Sequence, residues 1–164
     1  MAVPAFRRFK SNVQARSFIR DGVKSATASV TASKAVNAGK TTVLNAAAGL
    51  TVTLPATKAA RLGEVYRFVV GTTLTSNTYV VKVANATDVF KGGVFINDIG
   101  DTSAALVDFY PTASTSDTYT MTATIGGGKA GDWVEFESVA LGAWAVRGTM
   151  QGVTDPTTPF SATV

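Results

Sequence analysis

Glu135 and Glu137 stand two residues apart in the stretch Trp133-Val134-Glu135-Phe136-Glu137. On a strand they project from one face, and a carboxylate pair is what glycoside hydrolysis requires. The same spacing is ordinary on a solvated strand, and no second acidic cluster accompanies it. Gly39-Lys40-Thr41-Thr42 reads like the end of a phosphate-binding loop, in which backbone amides cradle phosphates and Lys reaches the terminal one. That loop needs a Gly five residues earlier, where this chain has Lys34, and a helix after it, where the β-branched run Thr41-Thr42-Val43 before Leu44 reads as a strand. Gly126-Gly127-Gly128-Lys129 lacks even the spacing and reads as a flexible hairpin turn. Asn97, Asp98 and Asp101 around Gly100 offer oxygen ligands in a turn, without the regular spacing of a calcium loop.

The chain has neither His nor Cys. It therefore lacks the usual general base near neutral pH, every Ser-His and Cys-His arrangement, thiolate metal sites and disulfides. With the weak motifs above, this predicts a protein that is not an enzyme and carries no cofactor or metal.

Any site must be positioned by strands. Of the 164 residues, 46% are apolar and only 16% charged, enough to bury a core and leave a Thr-, Ser-, Ala- and Gly-rich surface suited to packing against neighbours. Short β-branched runs broken by Gly, Asn, Asp and Pro predict strands near residues 43–44, 50–54, 64–70, 78–83, 89–96, 105–110, 118–125, 133–139 and 143–149. Eight or nine strands at this spacing predict a mainly β fold, an antiparallel β-sandwich or barrel. Thr120, Thr122 and Thr124 alternate with Tyr119, Met121, Ala123 and Ile125, which gives that strand a polar face. In a regular strand Trp133 shares its face with Glu135 and Glu137 and not with Phe136, so either one of the two aromatics lies near the surface or a bulge intervenes.

Residues 1–24 read as an extended basic and aromatic N-terminal arm, residues 25–151 as the β-domain and residues 152–164 as a Pro/Thr-rich tail that frays or docks through Phe160. A short helix within residues 12–20 fits the spacing of Ala15, Phe18 and Ile19. Residues 1–61 hold ten Lys/Arg and one acid, net +9, whereas residues 62–164 hold five and ten, net −5, which returns the overall +4. Such segregation favours a basic arm lying on an acidic protein surface: its own domain, a symmetry mate or a larger lattice. Nucleic acid is the weaker reading, because the β region is net acidic and offers no stacking platform framed by Lys or Arg. No run is apolar enough for a membrane span or a secretion signal, which places synthesis in a cytoplasm.

Three segments together carry a resemblance: Thr42-Val-Leu-Asn-Ala-Ala-Ala-Gly-Leu-Thr-Val-Thr-Leu-Pro-Ala56, Gly63-Glu-Val-Tyr-Arg-Phe-Val-Val-Gly71, and Ser76-Asn-Thr-Tyr-Val-Val-Lys-Val-Ala-Asn-Ala-Thr-Asp88. The stretch that holds them, from Thr41 to about Gly92 and about a third of the chain, resembles virion structural proteins of tailed bacteriophages, particularly head decoration (cement) proteins and some fibre-type proteins. The resemblance implies a β-domain that forms a homotrimer on the outer capsid surface and stabilises the shell by bridging copies of the major capsid protein. Phe6, Arg7, Arg8, Phe9, Lys10, Arg16, Phe18 and Arg20 would then form the capsid-binding arm. The alternative is a fibre or receptor-binding module that presents Tyr110 or Tyr119 to a host glycan from loops such as residues 92–101 or 110–117.

Overall fold

A computed structural model describes residues 22–100, 107–124, 126–153 and 155–164. The arm residues Phe6 to Arg20, the helix expected within residues 12–20, and Asp101 lie outside the described residues.

Twelve strands follow in order: β1 (Val23–Ala26), β2 (Val30–Thr31), β3 (Thr41–Leu44), β4 (Leu50–Thr53), β5 (Val65–Val70), β6 (Tyr79–Lys82), β7 (Val89–Asp98), β8 (Val107–Pro111), β9 (Thr118–Met121), β10 (Trp133–Ala140), β11 (Ala143–Gly152) and β12 (Phe160–Ser161). A 3-10 turn at Ala59–Arg61 is the helical element among the described residues. The strands form a seven-stranded sheet, β1-β3-β5-β10-β11-β7-β8, packed on a five-stranded sheet, β12-β9-β6-β4-β2. The expected mainly β sandwich is what forms. No closed barrel is present among the described residues, because β1 and β8 end the larger sheet without pairing to each other.

Pairing within the sheets is mixed and not purely antiparallel. From β1 to β6 the chain places one strand in each sheet in turn, so β1, β3 and β5 stack in parallel on one side while β2, β4 and β6 stack in parallel on the other. Each pair of strands is thus one coil of a short solenoid, which buries its apolar face against the next coil. Hairpin-like spacing does not reveal this, because the coils differ in length. Val23 aligns with Thr41 and Thr41 with Arg67, steps of 18 and 26 residues. The second half is longer-stranded: β10 pairs antiparallel with both β5 and β11, β7 runs parallel to β11, and β8 folds back antiparallel on β7.

Alternation places Tyr66, Phe68 and Val70 inward from β5, Phe90, Val94 and Ile96 from β7, Val134 and Phe136 from β10, and Trp144, Val146 and Met150 from β11. Phe136 is the centre of the core, its ring 4.9 Å from Phe90, 5.9 Å from Tyr119 and 6.2 Å from Phe68.

Two loop readings change. Residues 126–128 are not a flexible hairpin turn: they cross between the sheets and are buried. Gly127 has φ +77, and a Cβ there would collide with Met150 and Met121, so only glycine fits both the backbone and the space. The C-terminal stretch packs on its own domain. β12 closes the smaller sheet on β9, Phe160 lies 5.4 Å from Tyr119, and the Tyr110 hydroxyl donates to the Pro156 carbonyl at 2.6 Å. The Asp117 carboxylate accepts the backbone N–H groups of Thr163 (2.8 Å) and Val164 (3.2 Å). β1 begins at Val23, inside the segment assigned to the arm.

Candidate functional site

The outer face of the seven-stranded sheet collects the side chains whose spacing suggested chemistry. Trp133, Glu135 and Glu137 point there from β10, as alternation requires, while Phe136 points into the core. Arg147 lies opposite Glu135 on β11, and its guanidinium donates to Glu135 Oε1 through Nε (3.0 Å) and Nη2 (2.6 Å), with Nη2 also 3.6 Å from Glu137 Oε2. The carboxylate pair is therefore bridged by a cation on a sheet face, not opened across a cleft where a sugar ring could sit between the two acids. Arg67, from β5, stacks 4.4 Å over the Trp133 ring.

The other motifs resolve into local structure. Lys40 donates to the Ala35 carbonyl at 3.0 Å, and Thr41 opens β3. Asp98 Oδ1 accepts the Gly100 N–H at 2.9 Å, the local bond of a turn. Among the described residues no three acidic side chains converge on a common point, and no helix is long and apolar enough to cross a membrane. Glu64 is buried, accepting from the Tyr66 hydroxyl at 2.7 Å with Lys34 Nζ 3.1 Å from its other oxygen. Burial first, then that bond to Glu64, pushes the Tyr66 hydroxyl well above its ordinary range.

The outer face also exposes large apolar side chains. Phe95 (49% exposed) and Phe109 (52%) are registered partners on β7 and β8, their rings 5.2 Å apart on the outer face. Phe109 lies across Gly93, where a Cβ would strike the ring. Val107, in phase with Phe109, extends the patch, Ile99 is exposed just past β7, and Asp108 is exposed on the other side of β8. Single exposed apolar residues are common, but a contiguous aromatic patch on a sheet edge marks an association surface.

The aromatics singled out for a receptor groove are elsewhere. Tyr119 is fully buried in the core, and Tyr110 is partly buried with its hydroxyl on Pro156. Sequence reasoning missed Phe95 and Phe109 because the alternation around them is broken by Gly92-Gly93 and by the apolar run before Asp108.

Two shallow hollows are lined by described residues. One of about 240 Å³ lies between β9 and the C-terminal strand, lined by Thr120, Thr122 and Phe160; another of about 330 Å³ opens at the β1–β2 coil and is lined by Lys24, Val30 and Val36. The first is smaller than an ordinary ligand pocket and the second is at the lower limit. The charge asymmetry also acquires a location. Residues 22–61, which include β1 to β4, hold five bases and no acid; residues 62–164 hold five bases and ten acids; all the net charge of +4 belongs to residues 1–21. In comparisons with known proteins, no family model, no curated protein and no solved structure was found to match this chain.

Proposed function

We propose that this chain is a non-enzymatic virion structural protein of the capsid decoration type, which binds the outer capsid surface and stabilises the shell by bridging copies of the major capsid protein. The observation that supports it best is the pairing of two surfaces on one small chain. A neutral, tightly packed β-sandwich presents an exposed aromatic edge, and a separate basic segment with Phe6, Phe9 and Phe18 precedes it. Both are means of associating with protein, and the acidic pair on the outer face is already bridged by Arg147. The arm residues Phe6, Arg7, Arg8, Phe9, Lys10, Arg16, Phe18 and Arg20 grip the shell, and the β-domain self-associates as a homotrimer above it. Area buried at each contact stabilises by roughly 25 cal/mol per Å2, and repetition over a lattice multiplies the effect without chemistry.

The test is binding of the full-length protein to undecorated capsid shells of the virus that encodes it, followed by sedimentation. Saturation at a fixed ratio to the shell protein, lost when Arg7, Arg8, Lys10, Arg16 and Arg20 are replaced by Ser, supports the reading. A protein that stays in the supernatant at all concentrations sinks it.

The exposed Phe95–Phe109 pair favours a second reading, a fibre or receptor-binding module, because adjacent aromatic rings on a surface also stack on sugars. Saturable binding of a glycan that Phe109→Ser abolishes, without any shell binding, would replace the first reading by the second.

A further inference from the structure

The two ends of the seven-stranded sheet fit each other. β1 runs in the same direction as β3 and β5, β10 reverses, β11 and β7 run forward again, and β8 reverses, so β1 and β8 are antiparallel at opposite edges of one sheet. Six strand spacings separate them, roughly 29 Å, so they cannot meet within one copy without closing a barrel. Placing a second copy beside the first, with its core face on the same side, brings its β8 antiparallel against the first copy's β1.

Backbone and side chains match in that arrangement. The Asn45 N–H donates to the Ala26 carbonyl, so Ala26 and Lys24 turn their backbone groups towards β3, and those of Val23 and Ser25 face the edge that is unpaired among the described residues. The Thr112 N–H donates to the Gly92 carbonyl, so Tyr110 and Asp108 bond towards β7, and Val107, Phe109 and Pro111 face outward. Pro111 has no N–H to offer, which favours the register that leaves it outside the new ladder: Val23 opposite Phe109 and Ser25 opposite Val107. Lys24 then falls directly opposite Asp108. Their side chains share the core-facing side, because Lys24 is in phase with buried Ala26, and Asp108 with Tyr110. On the outer side Val23, 67% exposed, meets the Phe95–Phe109 patch. The charges agree on the larger scale too, since β1 belongs to the acid-free stretch 22–61 and β8 to the acidic remainder.

We infer that the partner of the β7–β8 edge is the β1 edge of a second copy of this chain, paired in antiparallel register with Lys24 opposite Asp108, so that copies join head to tail into one continuous sheet. Such a contact is heterologous and repeats, closing a ring where the rotation between copies allows and extending as a filament where it does not. It names the self-association surface of the proposed virion subunit and rests on that reading only for its purpose. The experiment uses free protein, so failure here leaves shell binding to be judged separately.

Sedimentation velocity of the full-length chain, with Lys24→Asp, Asp108→Lys and the double exchange, is the test, each variant being checked for native near-ultraviolet circular dichroism. The expected result is a self-associated wild type, roughly tenfold weaker association for each single reversal because like charges then face each other across the ladder, and recovery in the double variant. Because the chain has no Cys, a second measurement is direct. Ser25→Cys and Val107→Cys variants, mixed and oxidised, give a disulfide-linked dimer that neither gives alone, their Cα atoms being about 5.5 Å apart in such a pair. A monomeric wild type, or single reversals without effect, or no recovery and no mixed disulfide, overturns the interface.

Discussion

The two halves of the sandwich are built on different plans. From β1 to β6 the chain winds in coils, alternating sheets, with strands of two to six residues stacked in parallel. From β7 onward it uses the longest strands, ten residues each in β7 and β11 and eight in β10, with antiparallel returns. Stacking leaves a coil's open rung at β1, while the antiparallel half ends on β8 with aromatic rings outside. The first half supplies an edge with backbone groups and a lysine; the second supplies an edge with apolar area and an acid. A single sheet thus carries two unlike edges, which is the geometry of head-to-tail assembly.

Whether the halves form one cooperative unit is tested hardest at Phe136, which touches Phe68 of the coiled half and Phe90 and Tyr119 of the other. Phe136→Ala should cost about 3–5 kcal/mol and lower both halves together in a single denaturation transition. Two separated transitions by fluorescence and circular dichroism would show the halves to be independent.

A pH effect comes next. Burial pushes the Asp132 carboxyl up to about 6, against the Lys129 and Gln151 N–H groups that favour the charged form. Its unfolded value is about 3.9, so the folded state holds the proton more tightly. The resulting stability is fully present below pH ~4 and is lost as pH rises through ~6, up to about 3 kcal/mol. Denaturant titrations at pH 4.5 and pH 7.5 should show the protein more stable at the lower pH, and Asp132→Asn should flatten the difference.

Asp117 works in the opposite sense. Burial opposes its charge, but hydrogen bonds from the Thr163 N–H, the Thr118 hydroxyl and the Val164 N–H outweigh it and hold the carboxyl below its usual value. Its contribution is present at neutral pH and is lost only in stronger acid. Asp117→Ala should cost about 1–3 kcal/mol and expose the last residues to carboxypeptidase, since it frees the C-terminus from β9.

Smaller still is Ser138→Ala in the second half. The buried Ser138 hydroxyl has no hydrogen-bond partner among the described residues, so its removal should leave stability unchanged or raise it by about 1 kcal/mol. Smallest is Phe109→Ser at the edge, expected to alter monomer stability by less than about 0.5 kcal/mol while weakening self-association. A large loss of stability there would mean that the patch belongs to the core.

Much of the fold was legible in the sequence because alternation is a local property. Leu50-Thr51-Val52-Thr53 reads as a half-buried strand without knowledge of its neighbours, and Trp133, Glu135 and Glu137 fall on the outer face as period two demands. Partner choice is not local. The parallel coils pair residues 18 to 29 positions apart at unequal intervals, and β2 and β12, two residues each, carry no periodic signal. Burial of Tyr119 and exposure of Phe109 were likewise illegible, since both are aromatic residues beside a polar neighbour on short strands. What separates them is that Tyr119 points from the smaller sheet into the larger one, against Phe136, whereas Phe109 points outward from the larger sheet. The three glycines at 126–128 look like a loop's freedom, but at Gly127 they answer to Met150 and Met121.

Electron cryo-microscopy of undecorated shells incubated with the full-length protein tests the central claim most directly. The account predicts ordered density for 17.0-kDa β-sandwiches at fixed lattice positions on the outer surface, joined edge to edge, with the basic segment leading down to the shell protein. Shells left bare at saturating protein would contradict it.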